Sequence, residues 1–104
     1  MMTNEELREN LLMQYDEEVV NGMTMFTSPS YAAAVVAVTH DDRLVYDYNK
    51  MVECLMVDDD MTYEEAAEFI DYNTIRTLPY MEKPPVIIMP LEFNLLEREL
   101  VRER

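Results

Sequence analysis

Apolar residues recur with a helical period through the middle of the chain. After Asp47 they are spaced three and four residues apart: Tyr48, Met51, Val52, Leu55 and Met56. This spacing places them on one face of an α-helix, and Asp47 is a residue type that caps helix N-termini. The three aspartates 58–60 predict the end of this helix, because carboxylates are unfavourable near a helix C-terminus and common in turns.

A second helix is predicted directly after these aspartates. Thr62 and Glu65 have the spacing of a capping box, in which each side chain binds a backbone amide at the start of the helix. Met61, before the cap, has the position of a hydrophobic staple onto the helix. The residues predicted to be buried are Tyr63, Ala66, Ala67 and Ile70.

The opposite face of this second helix is acidic. It contains Glu64, Glu65, Glu68 and Asp71, which cover about a third of the circumference at about 100° per residue. A straight continuation would carry the apolar Ile75 onto this face. We therefore predict a break near Asn73 and then a short helical turn that ends before Pro79.

A further amphipathic helix is predicted over residues 4–20. Thr3 and Glu6 have the spacing of another capping box, and the apolar residues that follow share one broad face: Leu7, Leu11, Leu12, Tyr15 and Val19. Asn21-Gly22 is a suitable C-cap. Residues 23–30, which contain Pro29, are predicted to form an irregular connector.

Three segments have the composition of β-strands. Residues 31–39 and 44–46 flank the polar turn 40–43, which predicts a hairpin, although the alanines in 31–39 would suit a helix. Residues 86–89 are apolar in succession, which is typical of a central strand or one covered on both faces. Pro90 suits the first position of a terminal helix. Apolar residues fall on two sides of that helix, with Phe93, Leu96 and Leu100 on one and Leu91 and Leu95 on the other.

These elements predict an α+β fold in a single domain, residues 1–104. A small three-stranded sheet, made of the hairpin and one later strand, is packed on one face by the central helix pair, and N- and C-terminal helices add layers. The two-sided terminal helix predicts that the chain can form a homodimer. No segment approaches the roughly 20 apolar residues of a membrane span.

Charge distinguishes this chain from an average domain. Its 22 acidic and 8 basic residues give a net charge of −14, and residues 47–71 hold nine acids against one lysine. Such a surface repels nucleic acid and anionic membranes and attracts basic proteins. The residues predicted to bind a partner are Asp58, Asp59, Asp60, Glu64, Glu65, Glu68 and Asp71. The alternative is that the charge serves solubility only.

Candidate chemistry is sparse. An EF-hand loop beginning at Asp58 requires glycine at its sixth position and glutamate at its twelfth, where this chain has Tyr63 and Phe69. A solvated acidic turn explains these aspartates better than a metal site. The single histidine, His40, is interpreted as a turn residue, and the single cysteine, Cys54, as a residue at the edge of the core. We predict no enzyme activity, no metal and no cofactor.

Cysteine use and the first residues indicate the compartment. A lone cysteine excludes an internal disulfide and is typical of a reducing environment. Glu5, Glu6 and Glu9 stand where a signal peptide has basic residues. These features predict a cytoplasmic protein.

Tyrosine is concentrated in one region of the chain, at Tyr46, Tyr48, Tyr63, Tyr72 and Tyr80. A ring with a polar tip suits interfaces. The favoured interpretation is that these rings seal the boundary between sheet and helices.

Three segments carry a resemblance to known proteins: YDYNKMVECLM, DDDMTYEEAAEFIDYNTIRTLPYM and PPVIIM. They resemble a family of small, uncharacterised acidic proteins of phages and mobile elements of gut Gram-positive bacteria, over roughly residues 31–90. The resemblance implies a small α+β fold and no established activity. In size and charge, the chain is also similar to anti-CRISPR inhibitors and DNA mimics.

The leading hypothesis is a non-enzymatic inhibitor or adaptor. Its carboxylates would imitate phosphates and occupy a basic surface of a nuclease or another nucleic-acid-binding protein, without contacting nucleic acid itself. The alternative is a structural or homodimeric housekeeping domain, and a carboxylate-dependent metal enzyme is the least supported class.

Overall fold

The computed structural model describes residues 2–91. Within them the chain forms an α+β fold, as predicted, with a three-stranded sheet and helices before and after its hairpin. The helices and strands are α1 Asn4–Leu12, α2 Glu17–Gly22, β1 Val35–Val38, β2 Leu44–Asp47, α3 Tyr48–Asp58, α4 Tyr63–Phe69 and β3 Val86–Ile88. Shorter turns are a 3₁₀ turn at Ala32–Ala34, a π-helical turn at Ile70–Thr74 and a 3₁₀ turn at Ile75–Tyr80. The predicted terminal helix, with Phe93, Leu95, Leu96 and Leu100, lies outside the described residues.

The sheet has the order β1-β2-β3. β1 and β2 form the predicted antiparallel hairpin, and β3 lies parallel to β2. All four residues of β2 are buried, whereas those of β3 are half-buried or exposed. The prediction that the strand at 86–89 is central is therefore wrong. The helical crossover after β2 returns the chain to the side of β2 that faces away from β1, which makes β3 an edge strand among the described residues.

The first predicted strand is shorter than residues 31–39. Only β1 pairs with β2, while Ala32–Ala34 form a 3₁₀ turn that packs against α3. Ala32 and Ala34 are buried, and their small side chains let the turn approach the helix closely. Tyr31, just before the turn, has a φ of 50°, and its hydroxyl lies 3.0 Å from the buried Thr74 hydroxyl.

The central helix pair begins at the predicted caps. The Asp47 carboxylate accepts a hydrogen bond from the Lys50 backbone amide at 3.1 Å. At α4, the Thr62 hydroxyl accepts the Glu65 amide at 3.2 Å, and the Glu65 carboxylate accepts the Thr62 amide at 2.9 Å. Met61 lies half-buried against the core beside this complete capping box.

The buried face of the helix pair α3 and α4 differs from the predicted face mainly at two positions, while Ala67, also predicted to be buried, is half-buried. Its buried members are Tyr48, Met51, Val52, Cys54 and Leu55 of α3 with Ala66 of α4 and Ile70 just after it. Met56 and Tyr63, both expected inside, are 39% and 57% exposed. α3 is rotated so that Cys54 faces the core and Met56 does not. Ala66 and Ile70 make the buried contact of the second helix, which leaves Tyr63 at its margin.

A π-helical turn replaces the break predicted near Asn73. The Ile75 amide donates to the Ile70 carbonyl, five residues back. Ile75 thus returns toward the side of the helix occupied by Ile70, and both residues belong to the core or pack against it. The chain avoids placing Ile75 on the acidic side by widening one turn rather than by ending the helix. The following 3₁₀ turn includes Pro79 instead of ending before it.

The helix predicted over residues 4–20 is interrupted. α1 ends at Leu12 and α2 begins at Glu17. Leu11 and Val20 are both buried, yet nine residues at about 100° each would place them on opposite sides of one straight helix. The interruption lets both residues reach the core. Gly22 is the last residue of α2 and has no positive φ, so the predicted Asn21-Gly22 C-cap is also wrong.

Candidate partner-binding surface

The seven carboxylates predicted to bind a partner all lie at the surface. Asp58 ends α3, Asp59 caps it, and Asp60 follows in the turn. Glu64, Glu65 and Glu68 belong to α4, and Asp71 belongs to the π-helical turn. The aspartate turn leads into α4, and α3 and α4 pack against each other. We call these seven carboxylates together the acidic face.

The backbone holds the aspartate turn in place. The amides of Asp59 and Met61 both donate to the Leu55 carbonyl, at 3.0 and 3.4 Å. Asp60 has a φ of 53°, a left-handed conformation that aspartate adopts more readily than most residues. Leu55 is buried and Met61 packs against the core, so the turn is anchored at both ends while its carboxylates face solvent.

Two of the seven carboxylates have partners within the protein. Glu65 accepts the Thr62 amide, and the hydrogen bonds of this cap lower the pKa of the Glu65 carboxyl. Asp71 accepts the Tyr48 hydroxyl at 3.2 Å. Burial, followed by the charge of Asp71, raises the pKa of Tyr48. The other five carboxylates make no side-chain hydrogen bond to residues 2–91.

No cation neutralises the acidic face within the described part of the chain. The ion pair found in residues 2–91 joins Arg43 to Asp41 at 3.2 Å and lies in the hairpin turn, not on the acidic face. The seven carboxylates of the acidic face form no salt bridge with residues 2–91. Their charges therefore repel one another in the free protein, and a basic partner would relieve that repulsion.

The acidic face also has an apolar part that the sequence pattern did not predict. Met61, Phe69 and Tyr72 line an open groove beside Glu65 and Glu68. Tyr72 is 61% exposed, and Tyr63 is exposed at the start of the same helix. The prediction that the tyrosines seal the boundary between sheet and helices therefore holds for the buried Tyr46 and Tyr48 only. The helical wheel could have identified Tyr72, because six residues at about 100° place it well away from Ala66.

The remaining candidate groups lie elsewhere. His40 is exposed in the hairpin turn, and Cys54 is buried in α3. Burial, together with the nearby charges of Asp58 and Glu53, raises the pKa of the Cys54 thiol, which disfavours the reactive thiolate. In residues 2–91, no three His, Cys, Asp or Glu side chains are arranged to hold a metal ion. No helix in that range is long and apolar enough to cross a membrane.

No family model, curated protein or solved structure matches the chain. The resemblance to proteins of mobile elements therefore stays a prediction. The surface itself carries the functional argument.

Proposed function

We propose that this protein is a non-enzymatic, cytoplasmic inhibitor that binds a basic protein surface through its acidic face. One observation carries the proposal: seven exposed carboxylates occupy 14 consecutive positions without an ion-pair partner in residues 2–91. A surface with this much uncompensated charge attracts a positively charged partner over about 10 Å at 0.1 M salt.

The proposed mechanism is nucleic-acid mimicry, of the kind used by DNA mimics and anti-CRISPR inhibitors. Carboxylates four residues apart on a helix, such as Glu64 and Glu68, stand about 5–6 Å apart at their Cβ atoms. A row of such charges can occupy the lysines and arginines that otherwise contact phosphates. The inhibitor then excludes the nucleic acid from a nuclease or a related protein.

The groove lined by Met61, Phe69 and Tyr72 adds selectivity to this mechanism. Lysine and arginine have aliphatic stems that pack on apolar surfaces while their charged ends stay near carboxylates. An arginine can also lie over an exposed aromatic ring such as Tyr72, which contributes about 0.5–1 kcal/mol at an exposed site. Phosphate groups offer neither contact. The groove therefore gives the inhibitor affinity for its partner beyond that of electrostatic attraction alone.

A homodimeric structural domain is the second candidate. Ile88, Met89 and Leu91 are exposed at and after the edge strand β3, at 37%, 67% and 80%. A second copy that covered them would bury apolar surface, as in many dimer interfaces. Light scattering at high concentration tests this candidate, and a monomer at all concentrations would eliminate it.

Matched baits can test the inhibitor proposal by affinity capture from the native host, followed by mass spectrometry. In the face variant, Asp58, Asp59, Asp60 and Asp71 become Asn, and Glu64, Glu65 and Glu68 become Gln. In the control variant, Asp16 becomes Asn, and the residues changed to Gln are Glu5, Glu6, Glu9, Glu17, Glu18 and Glu82. Each set of changes takes the net charge from −14 to −7. Glutamine preserves both capping boxes.

Comparison of the two variants distinguishes binding through the acidic face from an effect of total charge. We expect a partner that the parent and the control variant retain and that the face variant loses. Excess duplex DNA or RNA should release that partner from the parent bait. Equal loss from both variants would contradict a specific role for the acidic face, because either total charge or the carboxylates of residues 5–18 would then be required. Capture of the same proteins by all three baits would also contradict that role.

A further inference from the structure

A second groove lies between α1 and the edge strand β1. It is lined by residues of α1 and the turn after it, among them Leu7, Asn10, Leu11 and Gln14, and by all four residues of β1. Successive side chains of a strand point to opposite faces of its sheet. A groove that contacts four consecutive strand residues therefore runs along the edge of the strand, where the backbone is accessible.

The strand register shows which backbone groups face this groove. The Thr39 amide donates to the Arg43 carbonyl at 2.8 Å, and the next pair in the hairpin is Val38 opposite Leu44. Hydrogen-bonded and non-hydrogen-bonded pairs alternate along an antiparallel ladder. The N–H and C=O of Val38 consequently point away from β2 and toward the groove. The irregularity of β1 falls between Val35 and Ala37, so the ladder around Val38 is regular.

The wall formed by α1 and the turn after it has side chains that can bind a peptide backbone. Leu7 and Leu11 are 6% exposed and give the groove an apolar floor. Asn10, on α1, and Gln14, in the turn after it, are both exposed. Their side-chain amides can each donate and accept hydrogen bonds. The groove has a volume of about 310 Å³, at the lower end of the range for ligand sites.

Charge indicates what kind of peptide fits. Residues 5–18 contain six carboxylates and only Arg8 as a cation, and Arg8 is hydrogen-bonded to Asn21. None of these carboxylates lines the groove itself, but their field and the net charge of −14 favour a cationic segment over an anionic one. Four strand residues at about 3.3 Å each offer a pairing length of about 13 Å, enough for about four residues of a partner.

We propose that the edge of β1 and the facing side of α1 form a binding site for an extended, basic peptide segment, which adds a strand to the sheet next to β1. In this mode, the backbone of the peptide pairs with Val38 and alternate side chains enter the groove. The site shares no residue with the acidic face. The proposal is therefore independent of the proposed function and stands or falls separately.

Amide hydrogen exchange of the full chain, measured by NMR, tests the pairing directly. The probe is the peptide Lys-Val-Lys-Val-Lys-Val, and the control peptides are Glu-Val-Glu-Val-Glu-Val and Lys-Val-Lys-Pro-Lys-Val. Proline removes a backbone donor without changing the charge of the peptide. At saturating probe we expect exchange of the Val38 amide to slow by about tenfold or more, because the amide enters a hydrogen bond. The two control peptides should protect it far less.

Two substitutions test the two walls. Val38→Pro removes the proposed donor and no ladder hydrogen bond, since that N–H faces away from β2, a position where edge strands tolerate proline. Gln14→Lys places a positive charge on the opposite wall. It should weaken binding of the Lys-Val peptide by about tenfold, or 1.4 kcal/mol. Asn49→Lys, an exposed change of equal charge on α3, should alter the affinity by no more than about twofold. If Val38→Pro fails to fold, comparison of Gln14→Lys with Asn49→Lys still tests the proposed site.

Two results would overturn the proposal. Binding of the Lys-Val probe without slower exchange at Val38 would mean that the peptide occupies another acidic surface. Protection of Val38 without peptide, rising with protein concentration, would mean that a second copy of the chain occupies the edge.

Discussion

Tyr46 connects the hairpin to the segment before it through one hydroxyl group. Its side chain is fully buried, and the hydroxyl accepts the Phe26 backbone amide at 3.2 Å. The two rings lie 4.8 Å apart between centroids. A buried amide in the irregular connector thus donates its hydrogen bond to a side chain of the central strand.

Tyr46→Phe is expected to cost about 1–3 kcal/mol, because it leaves the buried Phe26 amide without an acceptor. Urea unfolding measures this cost. Tyr80→Phe is the matched control, since Tyr80 is 88% exposed, and it should change stability by no more than about 0.5 kcal/mol. Equal midpoints for the two variants would show that the Tyr46 hydroxyl is not the essential acceptor.

Gly22 offers a prediction of the opposite sign. Its backbone is helical, and a Cβ atom built on it meets nothing within 4 Å. Gly22→Ala should therefore stabilise the protein by about 0.4–1 kcal/mol, mainly by restricting the unfolded chain. A lower unfolding midpoint would indicate that residue 22 requires the left-handed conformation of a C-cap, as the sequence alone predicted.

At the scale of elements, local signals and long-range packing have separate roles. The capping boxes at Thr3 and Thr62 and the cap at Asp47 form as predicted, since each depends on residues three apart. Spacing did not predict the interruption before α2, and near Asn73 it predicted a break rather than a π-helical turn. Both features depend on where Val20 and Ile75 must pack, which the rest of the fold determines.

The same distinction applies to the acidic face. Helical periodicity predicted that its carboxylates are exposed, because polar residues gathered on one side of a helix remain solvated. The pattern did not predict that Tyr63 and Tyr72 accompany them. Their exposure depends on where α3 and α4 touch, and that contact is tertiary.

Thr62→Ala should cost about 0.5–2 kcal/mol, the usual effect of losing an N-cap hydroxyl. Thr62→Ser retains the hydroxyl and is expected to lie close to the parent. Chemical unfolding of the three proteins side by side gives the comparison. An alanine variant as stable as the serine variant would contradict the role of this cap in α4.

The capping box also predicts a pH dependence. Hydrogen bonds from Thr62 lower the pKa of Glu65 below its ordinary value of 4.5, so the ionised carboxylate is favoured in the folded state. Its contribution is present above pH 4.5 and is lost as the pH falls through the lowered pKa. Glu65→Ala should therefore be less stable than the parent at neutral pH, and the difference should shrink in acid. Unfolding midpoints at several pH values check this, and a constant difference would contradict it.

At the scale of the whole molecule, charge is the main feature. The net charge is −14, and the acidic face holds seven carboxylates in one region without ion-pair partners in residues 2–91. Exposed ion pairs contribute about 0–1 kcal/mol each, so single substitutions on this face should have small effects. The charges are expected to act as a group, and the affinity should fall steeply with salt.

The most direct test measures the affinity of a captured partner for the parent, the face variant and the control variant at low salt. Seven contributions of about 0.4 kcal/mol each correspond to about a 100-fold loss for the face variant. The control variant, with the same net charge, should stay within about threefold of the parent because its changes lie outside the contact. A face variant that binds as tightly as the parent would contradict the account, and the exposed tyrosines would then become the next surface to test.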